Sequence, residues 1–313
     1  MTVISSVFQL IGSLGFLLYG MKLMSDGIQK SAGKSLHKVL GLMTSNRFFA
    51  LLTGVFITTI IQSSSATTVM VVSFVNAGLL TLAQSIGVIF GANIGTTITA
   101  WIVALFGFKF KIAALAIPVF GIGYILYSIK KLNKKTIGEA LMGFGLLFVG
   151  LDLLGEVMTF DAEQVLFLQH LTGNGYLSIL AGVLAGLVIT MLIHSSSAST
   201  AIILTMSYNK LLPWEFAAAM VLGSNIGTTI DAVLASIGTK VNARRAALIH
   251  VLFNVIGSVI AIILFKPFLL VVDFIVPGPV ESSITTHIAM LHTVFNVMNS
   301  LLFLPFVNQL AFL

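Results

Sequence analysis

The chain has 313 residues, of which 58% are hydrophobic and 8% charged, with a formal net charge of +6. Soluble domains carry about 25% charged residues, so the composition excludes an ordinary soluble fold and predicts an all-α polytopic membrane protein in a lipid bilayer. No run of alternating segments supports a β-barrel, the Lys/Arg excess fits cytoplasmic loops rather than nucleic acid, and the lack of cysteine removes disulfides and thiolate metal sites.

Val3 to Met24 is the first apolar span. Its leading residues hold no Lys or Arg and no small-x-small cleavage site follows, so it reads as a transmembrane helix rather than a leader. The Gly-rich stretch Leu14 to Gly20 is echoed by Phe144 to Gly150, with Gly20 and Gly150 separated by 130 positions. Ser25 to Arg47 follows as a basic connector, with Lys30, Lys34, Lys38 and Arg47 against Asp26 alone. Its four-residue spacing predicts a short helix lying on an anionic leaflet.

Phe48 to Ile61 is apolar but too short for a hydrocarbon core that needs about 20 residues. It runs into Gln62-Ser63-Ser64-Ser65-Ala66-Thr67-Thr68, and a second apolar stretch, Val69 to Leu80, follows. That pattern predicts a helix that enters part-way, breaks at a polar tip and returns. Ser63 to Ser65 are suitable N-caps for the outgoing half. Downstream lies Gly91-Ala92-Asn93-Ile94-Gly95-Thr96-Thr97, whose glycines allow a second break or a close helix approach.

Both signatures recur. His194-Ser195-Ser196-Ser197-Ala198-Ser199-Thr200 and Gly223-Ser224-Asn225-Ile226-Gly227-Thr228-Thr229 lie 132 positions after their first copies. Lys130 to Lys135 form a basic loop, whereas Glu156, Asp161 and Glu163 form one without Lys or Arg. With basic loops inside, the two echoed spans point opposite ways, although Lys109 and Lys111 then fall outside. The expectation is two inverted-topology repeats, residues 1–130 and 131–313, meeting at a central polar site.

Two helix breaks presenting hydroxyls, amides and free N–H groups form an anion site, and their carbonyl and hydroxyl oxygens suit an alkali cation. Neither signature contains Lys or Arg. An oxyanion held by neutral donors alone keeps its charge uncompensated, which favours anion–cation symport.

The paired Ser triplets, each followed about thirty residues on by Gly-x-Asn-Ile-Gly-Thr-Thr, resemble the type II sodium/phosphate cotransporter family. The resemblance covers nearly the whole chain. It implies a secondary transporter, not an enzyme, working by alternating access in the inner membrane. Inorganic phosphate would be the substrate and Na+ the coupling ion, with no organic cofactor and no metal beyond the alkali cation. It assigns phosphate to Ser63, Ser64, Ser65, Asn93, Thr96, Ser195, Ser196, Ser197, Asn225 and Thr228, and the coupling ion to Gln62, Thr67, Thr97 and Thr229; His194 and Asp231 join the ion site on the reading of their own chemistry. Relatives often append a domain resembling the phosphate-signalling protein PhoU. The chain stops at Leu313 in apolar sequence, so that domain is expected to be absent or removed, with a separate PhoU-like partner and a homodimer both allowed.

Two positions depart from the family pattern. His194 stands where a second Gln is usual, and Asp231 stands where the first repeat has Thr99. Asp231 reads as a cation-site carboxylate or as a residue facing a wet vestibule. His194 reads as a neutral hydrogen-bonder or a proton-sensitive element, which keeps proton-coupled oxyanion transport open. His250-Val251-Leu252-Phe253-Asn254 and His292-Thr293-Val294-Phe295-Asn296 form another echo, suited to interhelical hydrogen bonds. Lys22 and Asp152 occupy matching places in the echoed spans and could face each other, although snorkelling explains Lys22 equally well. A serine hydrolase is disfavoured because His194 adjoins Ser195 in the chain. A phosphate sensor remains the alternative outside transport.

Overall fold

The computed structural model describes residues 3–42, 46–109, 113–158 and 175–312, and among them no strand occurs. The helices are α1 (Val3–Leu42), α2 (Arg47–Ile61), α3 (Ser64–Ala77), α4 (Leu82–Ile102), α5 (Ala113–Ser128), α6 (Lys135–Val157), α7 (Tyr176–Ile193), α8 (Ser196–Tyr208), α9 (Trp214–Gly227), α10 (Thr229–Ser236), α11 (Val241–Ile263), α12 (Phe265–Ile275), α13 (Val280–Phe303) and α14 (Val307–Phe312). Among the described residues, 7 helical segments are long and apolar enough to cross a membrane. The protein is a multi-pass membrane protein.

Local chemistry sets many of these boundaries. Asn46 accepts the N–H groups of Phe48 and Phe49 at 3.0 Å and starts α2. Thr81 and Gln84 form a reciprocal capping box at the start of α4. The α4 segment continues through a π-helical stretch, Val103–Lys109. At Thr228 the backbone stays right-handed, so α9 and α10 form one span.

One expected boundary is absent. The chain does not turn onto a leaflet after Met24, because α1 runs unbroken from Val3 to Leu42. The four-residue lysine spacing belongs to the same helix as the first span. Lys30 lies on α1 and bonds Glu139 of α6 at 2.9 Å. The acidic loop residues Asp161 and Glu163, and also Lys111, lie outside the described residues.

The exterior is apolar, with Phe8, Ile117, Leu192 and Phe274 strongly exposed, while Thr58, Thr67, Asn254, Asn296 and His287 are fully buried. In lipid the apolar exterior provides no hydrophobic drive for helix association, so tight packing of small residues has to supply it. The principal pairs are α1 with α6, α2 with α4, α5 with α6 and α7 with α9. A Cβ on Gly91 would overlap the Leu51 carbonyl of α2, and one on Gly223 would overlap the Val183 carbonyl of α7. Gly54 and Gly186 meet the Val88 and Met220 carbonyls in the same way. The two pairs are thus built alike, with one exchange. Gly87 of α4 faces the Ala50 methyl of α2, while in the second copy Gly182 of α7 faces the Ala219 methyl of α9.

Gly91→Ala and Gly223→Ala should each destabilise the protein by about 1–3 kcal/mol, because a backbone carbonyl cannot move aside as a side chain can. Gly12→Ala, where nothing lies within 4 Å, should leave the unfolding temperature in detergent unchanged or raise it.

Candidate functional site

Two helix breaks of matching geometry form the centre of the molecule. α2 ends at Gln62, in left-handed backbone with φ 59°, and the Gln62 N–H bonds the Thr58 carbonyl at 2.7 Å. Ser63 is extended, and its Oγ accepts the Ala66 N–H at 3.2 Å to cap α3. α7 ends in the same manner at His194, φ 57°, on the Thr190 carbonyl at 2.8 Å. Ser195 Oγ then accepts the Ala198 N–H at 3.2 Å to cap α8. A non-glycine residue in this backbone region costs roughly 1–2 kcal/mol, and here it occurs twice at one register. The turn leaves the first N–H groups of α3 and α8, those of Ser64, Ser65, Ser196 and Ser197, without intrahelical partners.

Behind each tip lies a polar node that joins the two halves. Thr99 Oγ1 donates to Gln62 Oε1 at 2.9 Å, and Ser197 Oγ of the other half donates to Thr99 Oγ1 at 3.4 Å. In the matching node, His194 Nδ1 donates to Asp231 Oδ1 at 2.7 Å, and Ser65 Oγ donates to Asp231 Oδ2. Each node therefore takes its tip residue from its own half and a serine from the other. The chemistry differs, since Gln62–Thr99 is neutral while His194–Asp231 contains a carboxylate. Asp231 is largely shielded, with a side-chain exposure of 13%, whereas that of His194 is 53%.

The remaining predicted residues divide by what they touch. Thr58 Oγ1 donates to Thr67 Oγ1 at 2.9 Å, and Thr67 donates to the Ser63 carbonyl at 3.1 Å, which braces the first tip from behind. The equivalent hydroxyls of Thr190 and Ser199 are buried without a partner among the described residues. Thr96 and Thr97 donate to carbonyls of their own helix, those of Ala92 and Ile94, and Thr229 at the start of α10 donates to the Ile226 carbonyl of α9. Thr228 and Ser196 are buried, 3% exposed each, and the Thr228 hydroxyl is unpartnered among the described residues. Asn93 and Asn225 are engaged by histidines of other helices. Asn93 Oδ1 lies 3.4 Å from His250 Nε2, and Asn225 Oδ1 lies 3.0 Å from His292 Nε2. The two His-x-x-Phe-Asn segments thereby brace the two Gly-x-Asn-Ile-Gly helices, as interhelical bonds would.

A cavity of about 530 Å³ exposes both tips at once. Gln62, Ser63, His194 and Ser195 line it, and α1 supplies Lys22, Ser25, Asp26 and Gln29. Sequence patterns do not reveal this contribution from α1. Lys22 and Asp152 line different cavities, so they do not form the facing pair that their matching positions suggested. Thr99 was legible only as the counterpart of Asp231; the repeat offset was the signal for its place in the first node. Among the described residues no three His, Asp or Glu side chains gather as a transition-metal centre.

The Na+/Pi-cotransporter family model matches residues 16–156 and 161–271. The uncharacterized protein YqeW of Bacillus subtilis is 33% identical over 300 residues, covering 94% of this chain and 92% of that protein. YjbB of Escherichia coli, provisionally named an inorganic phosphate export protein, is 27% identical over 311 residues, which is 98% of this chain but 54% of YjbB. The chain therefore spans about half the length of that relative. The human sodium-dependent phosphate transport protein 2B is 39% identical over 104 residues, or 33% of this chain and 15% of that protein. No solved structure matches.

The strain at the tips can be separated from their side-chain chemistry. Gln62→Gly and Gln62→Ala both lose the bond to Thr99, yet the glycine variant should be the more stable by about 1 kcal/mol. His194→Gly against His194→Ala should show the same order in thermal unfolding.

Proposed function

The chain belongs to the Na+/Pi-cotransporter family, a family of transporters, and we propose that it moves inorganic phosphate across a membrane by sodium-coupled symport. The observation that carries this reading is the single cavity lined by both left-handed, serine-capped tips. Free N–H groups at the start of α3 and α8, each at a positive helix end, would hold phosphate oxygens, with the hydroxyls of Ser63, Ser64, Ser65, Ser195, Ser196 and Ser197 adding donors. Sodium would take oxygens from Gln62, Asp231 and the nearby threonines Thr67, Thr97 and Thr229. The halves 1–130 and 131–313 would act as inverted repeats, with α2–α3 and α7–α8 entering from opposite sides so that access to the tips alternates. Asn93 and Asn225 would hold the helices that frame this centre, together with Thr96 and Thr228.

A second reading has its own observation. The His194–Asp231 bond places an ionisable pair where the first half has a neutral one, which favours proton coupling at that node. One relative's name specifies export and the other's gives no direction, so flux is tested both ways.

The test is phosphate uptake into proteoliposomes under an inward sodium gradient, a proton gradient, or a potassium control at matched pH. Sodium-driven, saturable uptake that falls about tenfold or more in Ser64→Ala/Ser196→Ala is the expected result. Uptake driven by protons alone would replace sodium as the coupling ion. Folded protein that binds phosphate and moves none under any gradient would make it a sensor.

A further inference from the structure

The tips lack a counter-charge of their own, because neither signature contains Lys or Arg. Phosphate near neutral pH carries between one and two negative charges, and neutral donors leave most of that charge uncompensated once water is excluded. The cavity at the tips has a single Lys or Arg among its described lining residues, and that residue is Lys22 of α1. We infer that the Lys22 ammonium is the fixed counter-charge of the tip site, engaging the oxyanion held between Gln62–Ser63 and His194–Ser195. The inference rests on the phosphate reading above.

Three features of α1 suit Lys22 to this role. First, Lys22 makes no ion pair among the described residues, whereas Lys30, two turns further along, is engaged by Glu139 at 2.9 Å. Lys22 is therefore a cation without a carboxylate partner among the described residues, and it lines both the tip cavity and the adjoining one that holds Lys30 and Glu139. Second, its backbone is clamped. A Cβ on Gly20 would overlap the Leu147 backbone of α6, and one on Gly143 would overlap the Met24 backbone of α1, so the two helices pack backbone to backbone on either side of Lys22. A fixed Cα with a flexible four-carbon stem delivers charge to a defined region without demanding one geometry. Third, Asp26 lies one helical turn on and lines the same cavity. A carboxylate there lowers the net positive charge of the lining, which keeps binding weak enough for release.

Binding and flux, measured in parallel with inorganic phosphate, separate this inference from the transport reading. Calorimetric titration of the solubilised full chain reads the role of Lys22, and proteoliposome uptake reads transport. Lys22→Gln should raise the phosphate Kd by about tenfold or more, whereas Lys22→Arg should stay within about threefold of the wild type. Lys22→Met, which keeps the apolar stem, is the second neutral variant should Lys22→Gln not fold, and it should behave alike. Lys30→Gln, whose charge faces Glu139, should lower thermal stability and leave the Kd within about twofold. A neutral Lys22 variant with wild-type Kd would overturn the inference, as would an Arg variant no better than the neutral ones. Phosphate binding without uptake in the wild type would leave Lys22 in place and overturn transport alone. A wild type that binds no phosphate would overturn both.

Discussion

A helix that breaks inside a membrane protein must still satisfy the backbone groups it leaves open, and the rest of the molecule depends on how the two breaks do so. At both breaks the solution is the same. A left-handed residue turns the chain and closes one last bond, and a serine then caps the next helix. The groups that remain unpaired lie at the start of a helix, where the macrodipole is positive. The same economy that makes the break tolerable leaves donors at a helix start, and the phosphate site proposed above rests on them.

Such a break survives only if its surroundings hold it. α4 and α9 press against α2 and α7 through glycines that bring carbonyl to backbone, and α11 and α13 reach in with His250 and His292 to orient Asn93 and Asn225. The polar residues of the interior therefore work at two distances from the tips. Those nearest face the cavity, and those behind fix the helices carrying the first. The two halves also lock each other, because Ser65 and Ser197 each bond into the opposite node. A displacement of one tip is thereby felt at the other.

How far the sequence exposes this can be stated residue by residue. The repeat offset and the short apolar runs placed both breaks within a residue or two, because capping chemistry is local and Ser63 and Ser195 carry it in their own side chains. The continuity of α1 was hidden. Ser25 and Asp26 look like the end of a span when read alone, but the pairing of Lys30 with Glu139 across α6 lets the helix continue. Asn93 and Asn225 were legible as polar residues at matching places. Their facing was not, since it depends on histidines 157 and 67 positions away in the chain. Lys22 escaped for the same reason: only the packing of α1 beside both tips gives its charge a destination.

The exchange of alanine and glycine between the two helix pairs has a consequence for what the halves have become. Ala50 opposes Gly87 in one copy, and Gly182 opposes Ala219 in the other. A helix carried from one half into the other would meet two methyls where there is room for one, or none where one is needed. At these positions each helix fits its own partner, so the two pairs are not interchangeable parts. Two copies of one half could repeat the helix pairs in outline, but they could not rebuild the joint between Gln62–Thr99 and His194–Asp231, which needs one of each.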